Sequence, residues 1–395
     1  MVEKVEMKDL FIIKNGYTPS KNHPEYWEGG TIPWFRMEDI RQNGRILNDS
    51  IQHITPLGVK KSGLFPANSI IVATTATIGE HALVIVDSLA NQRFTFLTKC
   101  KSFDSKLDMK YMHYYMFIVD EWCKKNTNVS GFASVDMEKF KRLQIPIPSL
   151  EEQKRIVGFL DTFTDSIENL KQQIAQRRKQ YAYLIDNFFG GSLNEMKKKA
   201  ENGTLHIEPL SAHGTFTRGR RFVRTDVVEE GQPCIHYGDM YTYYGLYADK
   251  ANTHLPYDFP KKMRYAKKGD VVIVGAGENN EDIAVGLVWL GDEPAAVHDA
   301  CYIYESDFEP MYLSYFLRSS IYHLQIKSHV VRGKICSISS DGIGKALIPI
   351  FPMEKQKEIV SKLLPFESLL KNLEAQLEQR QKQYEYYRNQ LLTFE

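Results

Sequence analysis

The sequence predicts an α+β protein in which two β-rich domains alternate with two long helices. Three observations predict it. The phrase "IPIPSLEEQKRIV" (145–157) returns as "IPIFPMEKQKEIV" (348–360). Each copy opens a sustained heptad of apolar residues. Each is preceded by a cluster of short β-type runs.

The repeat has one offset, 203 positions, the distance from Ile145 to Ile348, and it runs without a gap to the end of the chain. Gln153 meets Gln356, Lys154 meets Lys357, and Asn169-Leu170 meets Asn372-Leu373. Gln173, Gln176, Arg177, Lys179, Gln180, Tyr181 and Tyr183 recur at Gln376, Gln379, Arg380, Lys382, Gln383, Tyr384 and Tyr386. Self-similarity at a fixed period marks copies of one unit. The chain therefore reads as an internal pseudo-two-fold repeat.

The repeated segment steps by threes and fours. In the first copy the seam is Ile156, Leu160, Phe163, Ile167, Leu170, Ile174, Arg177 and Tyr181. In the second it is Ile359, Leu363, Phe366, Leu370, Leu373, Leu377, Arg380 and Tyr384. Such a seam held over four heptads predicts helices able to pair as a coiled coil. Arg177 and Arg380 fill the same seam slot and are read as possible register markers. Pro146, Pro148, Pro349 and Pro352 stand before the first helical turn, where proline is tolerated. Glu151, Glu152 and Glu354 place negative charge at the positive end of the helix dipole. Gly190-Gly191 stops the first helix. From about 151 to 189 such a helix is roughly 55–60 Å long, more than one turn of B-DNA.

The intervening segments have a different texture. "SIIVAT" (69–74), "ALVIV" (82–86) and "FTFLT" (94–98) predict strands in the first half. "DVVIVG" (270–275), "AVGLVWL" (284–290) and "CYIYE" (301–305) predict them in the second. Gly, Asn, Asp and Pro separate these runs. Aromatic-rich helical stretches follow, at 111–119 and 312–320. The expected boundaries are 1–150 for the first domain, 151–190 for the first helix, 191–204 for a linker, 205–350 for the second domain and 351–395 for the second helix. "EMKKKAENG" (195–203) reads as linker because it is charged and lacks a hydrophobic period.

Composition excludes several classes. The chain is 43% hydrophobic and 25% charged, with a net charge of +1, so no strongly basic coat is available and nucleic-acid binding must use local patches. No apolar run approaches the roughly 18 residues of a membrane span. The five scattered cysteines form no CxxC pair, which fits a reducing cytoplasm rather than a disulfide framework or a zinc site. "VVIVGAGENN" lacks the third glycine of a dinucleotide fingerprint and continues as strand. "GTFTRGRR" has Arg220-Arg221 where a phosphate loop needs Lys-Ser/Thr. No catalytic triad, metal cluster or S-adenosylmethionine motif stands out. No catalytic residue and no cofactor are expected in this chain.

What remains is two sets of loops mixing cationic, amide and aromatic groups, the residue types that contact base edges and phosphates. In the first half the candidates are Lys14, Tyr17, Thr18, Ser20, Lys21, Trp34, Arg36, Glu38, Thr74, Thr75, Thr77, Gln92, Arg93 and Ser134. In the second they are Arg218, Arg220, Arg221, His236, Tyr237, Asp239, Tyr241, Tyr243, Glu278, Asn279, Asn280, His298, Arg332 and Lys334. Two similar scaffolds with different polar loops, joined by a stiff spacer, suit reading two different short sequences of double-stranded DNA at a fixed gap.

The chain resembles the specificity (S) subunit of type I restriction–modification systems. "GYTPSKNHPEYWEGGTIPWFRMEDI" (16–40) is similar to the opening of a target-recognition domain of that family. The paired "IPI" helices and the order domain, helix, domain, helix carry the rest. The second domain departs from the opening pattern, with "HGTFTRGRRF" for "NGYTPS" and "QPCIHYGDM" for "TIPWFRMEDI". The resemblance implies a non-catalytic subunit that binds two modification (M) subunits, which methylate adenine N6 with S-adenosylmethionine. It also implies restriction (R) subunits that use ATP and magnesium. On this reading the two helices lie antiparallel. Two other readings are a fused, self-sufficient DNA methyltransferase, against which the missing cofactor motifs speak, and a coiled-coil scaffold without DNA function, for which two elaborate β-rich domains are poorly suited.

Overall fold

The structure, a computed structural model, describes residues 2–128, 133–260, 262–278 and 283–394. The chain divides into two compact units. One holds residues 1–170 and 376–395, the other 171–375. Each contains one β-rich domain, the start of the helix that follows it and the end of the other long helix.

The first domain is built on a five-stranded sheet in the order Phe11–Asn15, Phe94–Lys99, Ser69–Ala73, His81–Val84, Ile46–Leu47. The second repeats that order with Gly214–Arg218, Cys301–Ser306, Val271–Val274, Gly286–Trp289 and Tyr247–Ala248. In both, the last strand is parallel to its neighbour and the rest are antiparallel. The central strands are buried along their whole length, which explains their unbroken apolar sequence. A smaller sheet accompanies each. It consists of His53–Ile54, Ile32–Phe35 and Leu89–Ala90 in the first domain. In the second it consists of Thr253–Leu255, Gln232–Ile235, Ala295–Val297 and Tyr265–Ala266.

The repeated "IPI" phrase is a strand. Gln144–Ile147 pairs with the first strand of its domain, Glu3–Glu6, and Leu347–Pro349 pairs with Ile207–Pro209. Each phrase thus closes its domain before the helix begins. The long helices run Leu150–Phe188 and Met353–Leu391, 39 residues each, and the offset of 203 carries both ends of one onto both ends of the other. Their first turns belong to the domain cores. Ile156 and Leu160 are fully buried with Met112, Tyr114 and Phe140, and Ile359 and Leu363 with Tyr312 and Ile348.

The two helices run antiparallel in each unit. In the first, Phe159 and Phe163 meet Tyr387 at 5.4 and 5.5 Å between ring centroids, and the Arg380 guanidinium lies 5.5 Å from the Phe163 ring. In the second, Tyr181 stacks on Phe366 at 6.4 Å and Arg178 pairs with Glu374 at 2.7 Å. The seam positions Phe163, Ile174, Leu370 and Leu373 are buried, and Ile167, Leu170, Tyr181, Phe366, Leu377 and Tyr384 are half-buried. The seam arginines differ from one another. Arg380 is half-buried against Phe163, whereas Arg177 is exposed and donates to Gln180 within its own helix at 3.0 Å.

The expected linker is a helix. Leu193–Glu201 is opened by a capping box in which Ser192 and Glu195 bond reciprocally, at 3.3 and 2.6 Å. Met196 is fully buried in the core of the second domain, and Lys199 Nζ donates to Gly190 O at 3.0 Å. Leu193 adds a half-buried contact to the same core, and two such anchors in nine residues announce no hydrophobic period.

Candidate nucleic-acid interface

In the first domain the described candidates gather where strands of the large sheet end. Gly16 N–H donates to Phe94 O at 2.9 Å, which sets the chain after Asn15 against the loop 91–93. A side chain at Gly16 would run into the carbonyl oxygens of Ala90 and Asn91, so only glycine allows this approach. Thr18 Oγ1 then donates to Gln92 Oε1 at 2.5 Å. Thr74 N–H donates to Arg93 O at 3.0 Å and Val135 N–H to Thr74 O at 2.9 Å, which adds Thr75 and Ser134 to the same edge. Asn91 N–H donates to Phe35 O at 3.1 Å and brings Arg36 alongside. Lys14, Gln92 and Arg93 are exposed and Thr75, Thr77 and Ser134 half-buried. Tyr17 is half-buried; its hydroxyl accepts the Lys60 N–H at 2.7 Å, and Lys60 Nζ lies 4.3 Å from its ring. Ser20 and Lys21 are exposed on the loop that follows, where Ser20 O accepts Trp27 Nε1 at 3.1 Å. Glu38 is exposed, 3.9 Å from Arg36 Nε.

Three candidates are scaffold instead. Trp34 is 3% exposed, donates its Nε1 to Tyr17 O at 3.0 Å and meets Trp27 edge-on. It holds the loop from behind. Thr74 is buried and shares a hydroxyl–hydroxyl bond of 2.9 Å with Thr95. Asp239 is buried, accepting from Thr253 Oγ1 at 3.0 Å and Asn252 Nδ2 at 3.3 Å. Its counterpart Asp39, also buried, accepts the backbone N–H groups of Arg36 and Ile51 at 2.6 Å each. This shared aspartate braces the turn beside the small sheet in both domains.

The second domain repeats the arrangement with different side chains. Gly219 N–H donates to Cys301 O at 2.9 Å, and a side chain there would meet Val297 O and His298 O. Gly219 is thus the structural partner of Gly16, His298 of Asn91, and His236 of Arg36. The turn chemistry is also kept. Asn91 Oδ1 accepts the N–H of Arg93 and His298 Nδ1 that of Ala300, both at 3.0 Å.

A cleft of about 600 Å³ opens here, lined among others by Arg218, Arg221, Arg224, His236, Tyr237 and His298. Its wall is aromatic. His236 and His298 lie 4.7 Å apart, and Phe222 sits 5.1 Å and Tyr237 5.2 Å from His298. Burial holds both imidazoles below the ordinary histidine range, and for His236 the neighbouring His298 adds to it. Both are therefore neutral at pH 7. His236 Nδ1 accepts the Gly238 N–H at 3.1 Å, which places its proton on Nε2.

Arg218 Nε donates to Asp299 O at 2.7 Å, and Glu278 is exposed at the cleft. Arg220, Arg332 and Lys334 are exposed, the last two on a loop closed by the Val331–Ser337 bridge. Tyr243 is exposed edge-on to Tyr244, while Tyr241 is half-buried and packs against Gly277. Asn279 and Asn280 lie outside the described residues. Phe222, Arg224, Asp299 and Asn91 belong to these edges but were absent from the sequence candidates. The repeat offset of 203 would have led from His298 to Thr95 and not to Asn91, because the loops between the domains' strands differ in length. Among the described residues no three His, Cys, Asp or Glu side chains gather as metal ligands, and no helix is long and apolar enough to cross a membrane.

Two scaffolds of one topology, joined by long antiparallel helices and bearing different polar edges at equivalent positions, define a class. Residues 1–177 and 232–379 match the family model of the type I restriction modification DNA specificity domain, and the chain belongs to that family. It is 46% identical over 233 residues to the specificity subunit of the type I restriction enzyme EcoprrI of Escherichia coli, covering 55% of this chain and 58% of that one. It is 36% identical over 202 residues to the EcoR124I/EcoR124II specificity subunit of Escherichia coli, covering 47% and 48%. The matches thus span about half the length of these relatives. Its fold is similar to the crystal structure of a type I restriction–modification S subunit from M. genitalium, with a TM-score of 0.57 at 16% identity over 100% of this chain and 97% of that one. A chain from a structural study of type I system assembly gives 0.60 at 14%, over 99% and 97%.

Proposed function

We propose that this chain is the DNA-specificity subunit of a type I restriction–modification complex. Residues 1–150 read one half of a bipartite target and residues 205–350 read the other. The paired helices set the spacer between the halves. The chain carries out no covalent chemistry. Two modification subunits supply adenine methylation with S-adenosylmethionine, and restriction subunits supply ATP- and magnesium-dependent cleavage. The site of action is the cytoplasm, where such a complex meets DNA.

One observation carries this reading. The two domains keep the same strand order, the same glycine approach and the same buried aspartate, yet differ at nearly every side chain on the exposed edge. A scaffold kept twice while its polar edge is rewritten fits two readers of two sequences. The helices fit a ruler, since both are 39 residues and begin at equivalent positions.

The test is to sequence the methylome of a host carrying this chain with its modification subunits. The expected result is methylated adenine in a motif of two short halves with a fixed, sequence-free gap. Exchanging residues 1–150 for the corresponding domain of a relative must then change one half only. A change in both halves, or in neither, overturns the reading.

A further inference from the structure

The two reading edges differ in chemistry at equivalent positions, and the difference is sharpest around the cleft of the second domain. Asn15 of the first domain corresponds to Arg218 of the second, and counted on from Gly16 and Gly219, Thr18 and Lys21 stand at the same steps along the chain as Arg221 and Arg224. Where the first edge offers an amide, a hydroxyl and an ammonium, the second offers three guanidiniums on one cleft. Arg224 Nη2 approaches to 3.7 Å of the point where a Cβ on Gly238 would lie, so it reaches across the start of the turn that His236 caps. Arg218 is anchored by its Nε on Asp299 O.

The same cleft is lined by Phe222, Tyr237 and the imidazoles of His236 and His298. A guanidinium is planar and presents paired donors in a rigid fork. That geometry matches the N7 and O6 acceptors on the major-groove edge of guanine; a phosphate can take the same fork, but a phosphate contact carries no preference between bases.

We propose that the half-site read by residues 205–350 contains a guanine, and that Arg224, with Arg221 beside it, takes its N7/O6 edge. This rests on the DNA-reading role proposed above. Arg224 is then a specificity-determining residue of the second half-site.

The experiment uses the full chain in complex with its modification subunits. The methylome first gives the bipartite motif, and duplexes are then made with 7-deazaguanine at each guanine of each half. At one guanine of the second half, loss of N7 is expected to weaken binding on the order of tenfold or more. Arg224→Ala removes that sensitivity and the preference for guanine there, and leaves the first half unchanged. Arg224→Lys keeps the charge without the planar fork and is expected to weaken the preference for guanine with the salt dependence of binding unchanged, which separates base reading from phosphate holding and guards against an Ala variant that folds poorly.

A bipartite motif whose second half has no guanine overturns this inference while the DNA-reading role stands. So does a second half indifferent to 7-deazaguanine, or a folded Arg224→Ala variant with its preference intact. A chain that imposes no bipartite motif overturns the DNA-reading role, and this inference with it.

Discussion

Gln153 Oε1 accepts the backbone N–H of Asp108 at 2.8 Å, and Gln356 Oε1 accepts that of Glu309 at the same distance. Asp108 and Glu309 are the N-cap residues of the helices Met109–Lys125 and Pro310–Phe316. The amide nitrogens complete the lock. Gln153 Nε2 donates to Lys106 O and Pro148 O, and Gln356 Nε2 to Phe351 O, all at 2.8 Å. Tyr111 and Tyr312 add hydroxyl bonds to Pro146 O at 2.9 Å and Pro349 O at 2.7 Å. The repeated phrase is therefore a weld, in which a glutamine of the long helix fastens its first turn to the domain.

Breaking that weld leaves buried backbone groups unpaired, because Gln153 is fully buried. Each orphaned group costs about 1–3 kcal/mol. Gln153→Ala is expected to lower the stability of the first unit by roughly 2–4 kcal/mol, and Gln356→Ala to do the same for the second. Denaturant unfolding followed by a probe in each unit checks this. A loss below about 0.5 kcal/mol, the range of ordinary surface substitutions, would show that water replaces the glutamine.

The seam is not uniform, and substitutions along it should grade accordingly. Leu160 is fully buried in the first domain's core, so Leu160→Ala is expected to cost about 2–5 kcal/mol. Ile167 is half-buried and its truncation should cost clearly less. Arg380→Ala loses the stacking on Phe163, worth about 0.5–1 kcal/mol. Arg177 is exposed, and Arg177→Ala should stay within about 0.5 kcal/mol. Thermal unfolding of the four variants ranks them. Equal effects for the two arginines would remove the distinction.

Much of this fold was legible because period is a collective signal. The heptads survive the exposed Arg177, and the buried strands Ser69–Ala73 and Val271–Val274 announce themselves as apolar runs. The helix Leu193–Glu201 was not legible, since its apolar anchors are only the buried Met196 and the half-buried Leu193, too few for a period. The polar edges of the two domains were legible as loops but not residue by residue. Trp34 and Asp239 are of the types that touch DNA, yet each is buried a residue or two from a half-buried position. Residue type does not report which way a side chain points where a strand ends. The cleft around Arg224 depended on contacts across long separations, such as Arg218 to Asp299, which no local pattern records.

A buried polar cluster in the first domain gives a dependence on pH. His113 is 5% exposed, and its ring meets His81 at 4.9 Å, while His81 Nδ1 bonds Asp120 Oδ2 at 2.6 Å with Arg45 Nη1 3.6 Å away. Burial, reinforced by His81, Arg45 and Lys110, holds His113 well below the ordinary value of 6.5. The unfolded chain therefore binds this proton at a higher pH than the native one. The contribution of His113 is full above pH 6.5 and is lost as pH falls below it. The unfolding midpoint of the first unit should drop between pH 7 and 5, and His113→Leu should flatten that drop. An unchanged slope in the variant would assign the acid sensitivity to other groups.

On the proposed reading, the first half-site offers the complementary test. Thr18 Oγ1 donates to Gln92 Oε1, so the amide is held with its Nε2 donors turned away from the threonine. A fixed amide discriminates between base edges, whereas a freely rotating one tolerates either orientation. Gln92→Ala is expected to reduce discrimination at one position of the first half-site on the order of tenfold. Thr18→Val frees the amide without removing it, so it should relax the same position by a smaller factor and leave overall affinity nearly unchanged. Neither variant should alter the second half-site, because Gln92 and Thr18 belong to the first domain alone. Competition binding of the complex against duplexes changed one base pair at a time measures all of this. A uniform weakening across every sequence, together with a shallower salt dependence, would make Gln92 a backbone contact.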